Sequence, residues 1–123
     1  MKRILIVEDN ELNRDVLSRR LARRRYDVLV AADGRQGLAM AAVHCPDLIL
    51  MDLGLPEIDG WACVQQLREN ARTRHIPIIA LTAHAMVGDR ERALDAGCDE
   101  FDAKPIDFAN LLLKMARLLE RAA

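Results

Sequence analysis

Apolar positions along the chain follow two alternating rhythms. Short runs at Arg3–Val7, Tyr26–Ala31, Asp47–Met51, Pro77–Leu81 and Glu100–Ala103 read as strands. The stretches between them have helix length, with apolar residues three or four apart. Leu12, Val16, Leu17 and Leu21 form one such stripe, and Leu38, Ala41 and Ala42 a smaller one. The last is the clearest, with Phe108, Leu111, Leu112, Met115, Leu118 and Leu119 on one face. Asp59 and Asp107 stand where a capping side chain would open the third and fifth helices. Residues 85–96, AMVGDRERALDA, predict a fourth helix that is polar, with only Met86, Ala93 and Leu94 on its apolar face. Gly88 inside it would cost about 1 kcal/mol relative to alanine. The pattern alone suits a solvated surface helix; a helix held this thinly is also one that can shift. Five strands alternating with five helices predict an α/β fold, a parallel sheet covered on both faces with right-handed crossovers.

The run LILMDLGLPEIDG, residues 48–60, raises a chemical question. It delivers a carboxylate, Asp52, at the end of a buried strand, where desolvation works against a charge. Gly54, Pro56 and Gly60 punctuate the loop that follows. In an open parallel sheet, ligands bind outside the carboxyl ends of the strands. Other groups converge on that rim. ILIVEDN finishes in Glu8 and Asp9, IIALT finishes in Thr82, and the short fifth strand leads into Lys104 and Pro105. Taken singly, each is ordinary turn or capping chemistry. Their joint placement at four strand ends is what points to a site.

Three carboxylates on one rim repel one another by about 4 kcal/mol per pair at 4 Å and an effective dielectric near 20. A divalent cation relieves that conflict, and hard oxygen donors suit Mg²⁺ better than zinc. Lys104 supplies a second positive charge and Thr82 a hydroxyl donor. A carboxylate oxygen of Asp52 is then free to act as a nucleophile towards phosphorus, giving an aspartyl-phosphate.

Composition narrows the setting. A chain of 123 residues, about half of them apolar and 30% charged, is expected to form one domain over residues 1–123. A formal net charge of −1 gives no general drive towards nucleic acid or anionic membrane. No run approaches the roughly 20 apolar residues that span a bilayer, and MKRILIVEDN meets acid at Glu8 where a signal peptide would stay apolar. Cys45, Cys63 and Cys98 are widely spaced and contain no CxxC pair, so neither a disulfide framework nor a zinc site is indicated. These features predict a cytoplasmic protein.

The motifs ILIVEDN, DLILMDLGLPEIDG, IPIIALTA and the AKP of Ala103-Lys104-Pro105 together resemble the receiver domain of two-component response regulators, the CheY-like family. The resemblance covers essentially the whole chain. It implies a (βα)5 doubly wound, flavodoxin-like fold with strand order 2-1-3-4-5. It makes Asp52 the phosphoacceptor, and Glu8 and Asp9 the acidic pair that holds Mg²⁺ with Asp52 and the backbone carbonyl of Gly54. Thr82, followed by Ala83, matches the hydroxyl position that bonds the phosphoryl group. Lys104 matches its lysine partner, Phe101 the aromatic switch position, and the Lys104–Pro105 bond one that is often cis. Gly54 and His84 occupy neighbouring positions that tune dephosphorylation.

The implied activity is a bacterial phosphorelay switch. It takes a phosphoryl group from a sensor histidine kinase or histidine phosphotransfer protein, catalysing only its own phosphorylation and dephosphorylation. Phosphorylation would draw Thr82 towards the phosphoryl group, turn Phe101 inward and change the face of the fourth helix, fifth strand and fifth helix that meets a downstream protein target. Asn13, Arg14 and Leu17 are expected on the face that meets the donor. The ending LLERAA suggests a stand-alone regulator, with a receiver excised from a hybrid kinase or longer regulator, or a binding module that is never phosphorylated, as alternatives. A nucleotide-binding flavodoxin-like protein should instead carry a Gly/Ser/Thr-rich phosphate cradle after the first strand, where Glu8-Asp9-Asn10 would repel phosphate. Haloacid-dehalogenase-like phosphatases carry DxD, whereas Asp52 is followed by Leu53-Gly54.

The remaining features read as structural. Arg19, Arg20, Arg23, Arg24 and Arg25 suit the C-terminal end of a solvated helix, and Arg72, Arg74 and His75 a solvated loop. Met40, Met51, Met86 and Met115 read as packing residues. Trp61 should start the third helix near Asp52.

Overall fold

In the computed structural model, which describes residues 1–55, 59–83 and 88–122, strands and helices alternate along the chain. They are β1 (Arg3–Val7), α1 (Glu11–Arg23), β2 (Asp27–Ala31), α2 (Gly34–His44), β3 (Leu48–Asp52), α3 (Gly60–Glu69), β4 (Ile78–Thr82), α4 (Asp89–Asp95), β5 (Glu100–Ala103) and α5 (Phe108–Ala122). The five strands form one parallel sheet in the order β2-β1-β3-β4-β5, as the resemblance implied.

Alternation along the strands splits the core in two. Val7, Met51, Ala80 and Phe101 join Val64 and Leu67 of α3 on one face. Ile6, Leu50 and Ile79 meet Leu21 of α1 and Leu111 and Met115 of α5 on the other. Every residue of β3 and β4 is buried, which is why these strands read as unbroken apolar runs. Asn10, Asp33 and Asp59 cap α1, α2 and α3 by accepting backbone N–H bonds from Asn13, Gln36 and Ala62. Asp107 does the same for Asn110 at the start of α5.

Three expectations need correction. The strands expected at Asp47–Met51 and Pro77–Leu81 each lie one residue later, so Asp52 and Thr82 are the last strand residues rather than the first loop residues. Leu12 and Val16 are 70% and 47% exposed, and only Leu17 and Leu21 of that stripe are buried. The fourth helix is shorter than 85–96: it starts at Asp89, and Gly88, with φ 92°, stands before it rather than inside it. At that position the left-handed backbone makes glycine the favourable residue. Met86 lies outside the described residues.

The end of the sheet opposite Asp52 is tied together by Arg68. Its Nε donates to Gly97 O at 2.8 Å, its Nη1 to Arg74 O at 2.8 Å and Ile76 O at 2.7 Å, and its Nη2 to Asp99 Oδ2 at 2.8 Å. The same carboxylate oxygen accepts the Ile78 N–H at 2.8 Å. One side chain of α3 thus fixes the loops before β4 and β5.

Candidate functional site

At the carboxyl edge of the sheet, β1 runs into Glu8 and β3 ends at Asp52, on neighbouring strands whose paired residues include Val7 and Met51. β4 ends at Thr82, which pairs with Ala103 of β5 just before Lys104. Parallel pairing therefore brings four separate sequence motifs to one rim. Glu8, Asp52 and Thr82 are buried, while Asp9 is exposed.

Lys104 organises the buried charges. Its Nζ lies 2.8 Å from Glu8 Oε2 and 3.2 Å from Asp52 Oδ2. The other Asp52 oxygen, Oδ1, accepts the Gly54 N–H at 2.9 Å. Burial opposes the Lys104 charge, but its bond to Glu8 and the Asp52 carboxylate outweigh it, and the ammonium is held above its ordinary pKa. Glu8 is raised from the ordinary carboxylate value by burial and by the charge of Asp52, against the pull of Lys104. One ammonium serves two buried carboxylates, so the site is short of positive charge.

That shortage is the test of a metal ion. Glu8, Asp9 and Asp52 each present a carboxylate oxygen, all within 4.8 Å of one another. Hard oxygen donors in excess over the available cation fit a divalent ion such as Mg²⁺. Gly54 is exposed beside them, and a Cβ there would stand 3.6 Å from Asp52 Oδ1, an ordinary contact.

The structure brings Glu8, Asp9, Asp52, Gly54, Thr82 and Lys104 together. Ala83, exposed, lines an apolar groove with Lys104 and Pro105, and the Lys104–Pro105 bond is cis. Phe101 is packed into the core, 8% exposed. His84 lies outside the described residues.

Two contributors escaped the sequence reading. Arg14 Nη1 donates to Glu8 O at 3.0 Å, fixing the backbone that carries the acidic pair. Gly60 lets α3 begin directly against the backbone of Asp52, where a Cβ would meet Asp52 O at 2.3 Å. The Asp59-Gly60 pair signalled a helix start; its bearing on Asp52 needed the tertiary structure.

A family model, the response regulator receiver domain, matches residues 4–116. The chain belongs to that family. This receiver domain is 43% identical over 105 residues to the polar-differentiation response regulator DivK of Brucella ovis, covering 85% of each chain. It is 40% identical over 121 residues to the DNA-binding dual master transcriptional regulator RpaA of Synechocystis; the match takes in 98% of this receiver but spans half the length of RpaA. Among solved structures, the receiver domain of a sensor histidine kinase from Pseudomonas aeruginosa PAO1 superposes with a TM-score of 0.89 at 40% identity, over 97% of this chain and 98% of that one. That structure has a magnesium ion coordinated in its active-site cleft. The chemotaxis protein CheY4 of Vibrio cholerae also superposes with a TM-score of 0.89, at 29% identity, over 96% and 98%. Receiver domains are phosphoacceptor switches between histidine kinases and downstream targets. Among the described residues, no helix of this receiver is long and apolar enough to cross a membrane.

Proposed function

We propose that the whole chain, residues 1–123, works as one receiver domain. In this reading Asp52 accepts a phosphoryl group from a phosphohistidine of a sensor histidine kinase or histidine phosphotransfer protein. The observation that carries it is the buried Asp52 carboxylate at the sheet edge, bonded to Lys104 and clustered with Glu8 and Asp9.

In the transfer, an Asp52 oxygen forms a bond to phosphorus as the phosphorus–nitrogen bond of the donor breaks, and the imidazole nitrogen keeps that electron pair. Glu8, Asp9, Asp52 and the backbone carbonyl of Gly54 would hold Mg²⁺. When bound, the ion supplies positive charge to the phosphoryl oxygens. Lys104, already beside Asp52, neutralises a phosphoryl oxygen from its own side, and Thr82, followed by Ala83, donates its hydroxyl to another. Catalysis is confined to the domain's own phosphorylation and dephosphorylation.

The donor reaches Asp52 beside Lys104, along a groove of about 640 Å³ lined by Leu12, Val16, Pro105 and Ile106. Asn13 and Leu17, expected on this face, line the same groove. The response appears on α4, β5 and α5, where Phe101 lies within β5 and Thr82 pairs with its Ala103, and this face meets a downstream protein target. Neither nucleic acid nor membrane insertion enters this reading.

Intact mass after incubation with acetyl phosphate and Mg²⁺ tests it. An adduct of about 80 Da, absent without Mg²⁺ and absent in Asp52→Asn, is the expected result. No adduct from acetyl phosphate or from a phosphohistidine donor, with Mg²⁺ binding measured separately, would leave a binding module that is not phosphorylated.

A further inference from the structure

At the pole opposite Asp52 lies a second cavity, of about 340 Å³, whose lining includes Arg68, Arg74, His75, Gly97, Asp99 and Arg121. Its charges do not cancel. Asp99 is spoken for, since Oδ2 accepts from both Arg68 and the Ile78 N–H. Arg68 in turn spends its guanidinium on Asp99 and three backbone carbonyls. The side chains of Arg74, His75 and Arg121 have no hydrogen bond or ion pair among the described residues. Two permanently charged guanidiniums therefore line one cavity without a counter-charge, in a chain whose formal net charge is −1.

Arg68 is locked by its bonds, so the cavity keeps its shape without a ligand. Planar guanidiniums with free donors match phosphate oxygens two at a time. A cavity of this size holds a small molecule rather than a protein segment.

We propose that this cavity binds a small phosphate-bearing anion, its phosphate oxygens paired with Arg74 and Arg121. The bound molecule bridges the loop before β4 and the end of α5, well away from the Asp52 site.

The test is a titration of the full chain without Mg²⁺, following backbone amide resonances, with sodium pyrophosphate and separately with ATP. Saturable shifts are expected at Arg74, His75, Gly97 and Arg121 with both. R74A/R121A should weaken binding at least tenfold; these exposed side chains hold no bonds, and retained spectral dispersion verifies the fold. R23A/R24A removes two exposed arginines elsewhere and should leave affinity unchanged. Shifts that never saturate, or an equal loss in R23A/R24A, would overturn the site in favour of general attraction to a basic surface.

Discussion

A methyl group on Gly60 would meet the carbonyl oxygen of Asp52 at 2.3 Å, and the Cα of Leu53 at 2.5 Å. Both are backbone atoms, so no side chain can swing aside. The start of α3 is therefore set flush against the chain that carries Asp52, and the Gly60 N–H donates to Leu53 O at 3.3 Å across the same contact.

Gly60→Ala should destabilise the fold by about 1–3 kcal/mol, the usual range for overpacking. It should also slow acetyl-phosphate labelling, because the backbone of Asp52 has to shift. Gly54→Ala is the contrast, since its Cβ makes only ordinary contact with Asp52 Oδ1. Its stability should stay within about 0.5 kcal/mol of the parent. Urea unfolding followed in parallel with mass-detected labelling checks both.

Lys104→Ala removes the only side-chain cation within ion-pair distance of Glu8 and Asp52 among the described residues. Without Mg²⁺ the variant should melt below the parent, because buried carboxylates are left facing one another. With no ammonium competing for them, Mg²⁺ should bind several-fold more tightly and raise Tm by more than it does in the parent. Thermal melts with and without Mg²⁺ decide this; a smaller Mg²⁺ effect in the variant would count against the ammonium as a competitor.

Thr82→Ala separates transfer from response. Thr82 lies at the end of β4 and pairs with Ala103. The variant should reach the same phosphoryl occupancy by intact mass, yet show less than half the parent's amide shifts in α4, β5 and α5. Shifts of parental size at equal occupancy would remove Thr82 from the relay.

The thiols give a pH signature. Burial, reinforced by nearby carboxylates, pushes Cys63 from 9.0 up to about 11. Burial also pushes Cys98 up to about 11, against the pull of Arg68. Between pH 9 and 11 the unfolded chain loses thiol protons that the folded chain keeps, so these groups make stability fall as pH rises through that window. Urea midpoints at pH 8 and pH 10 should show the decline, and Cys63→Ala/Cys98→Ala should flatten it. At neutral pH, iodoacetamide should add a single group, on exposed Cys45.

Much of this architecture is legible in the sequence because β1, β3 and β4 each carry an unbroken apolar run that stops at a polar residue. Val7 before Glu8 and Leu81 before Thr82 announce the rim that way. Asp59 and Asp107 announced their helices because capping is a local interaction, decided within four residues. Leu12 and Val16 misled for the opposite reason. Helical spacing puts an apolar residue on a face, but only packing decides whether anything covers that face, and here they flank an open groove. The bearing of Gly60 on the backbone of Asp52 and Leu53 depended on where α3 starts against β3, which no local pattern gives. The uncompensated cavity could not be read at all, since it arises from how Arg68 uses up Asp99 across 31 residues.

The bonds of Arg68 also have a mechanical consequence. Just past α4, Gly97 is anchored by its carbonyl to Arg68, and the Cys98 N–H returns to Ala93 O. At the other end Gly88 offers no side chain to cap the helix. Near its start, Arg90 pairs with Glu100 of β5 at 3.0 Å, so the seven residues of α4 are riveted to their neighbours at both ends. Moving the helix as a unit would mean parting one of those rivets.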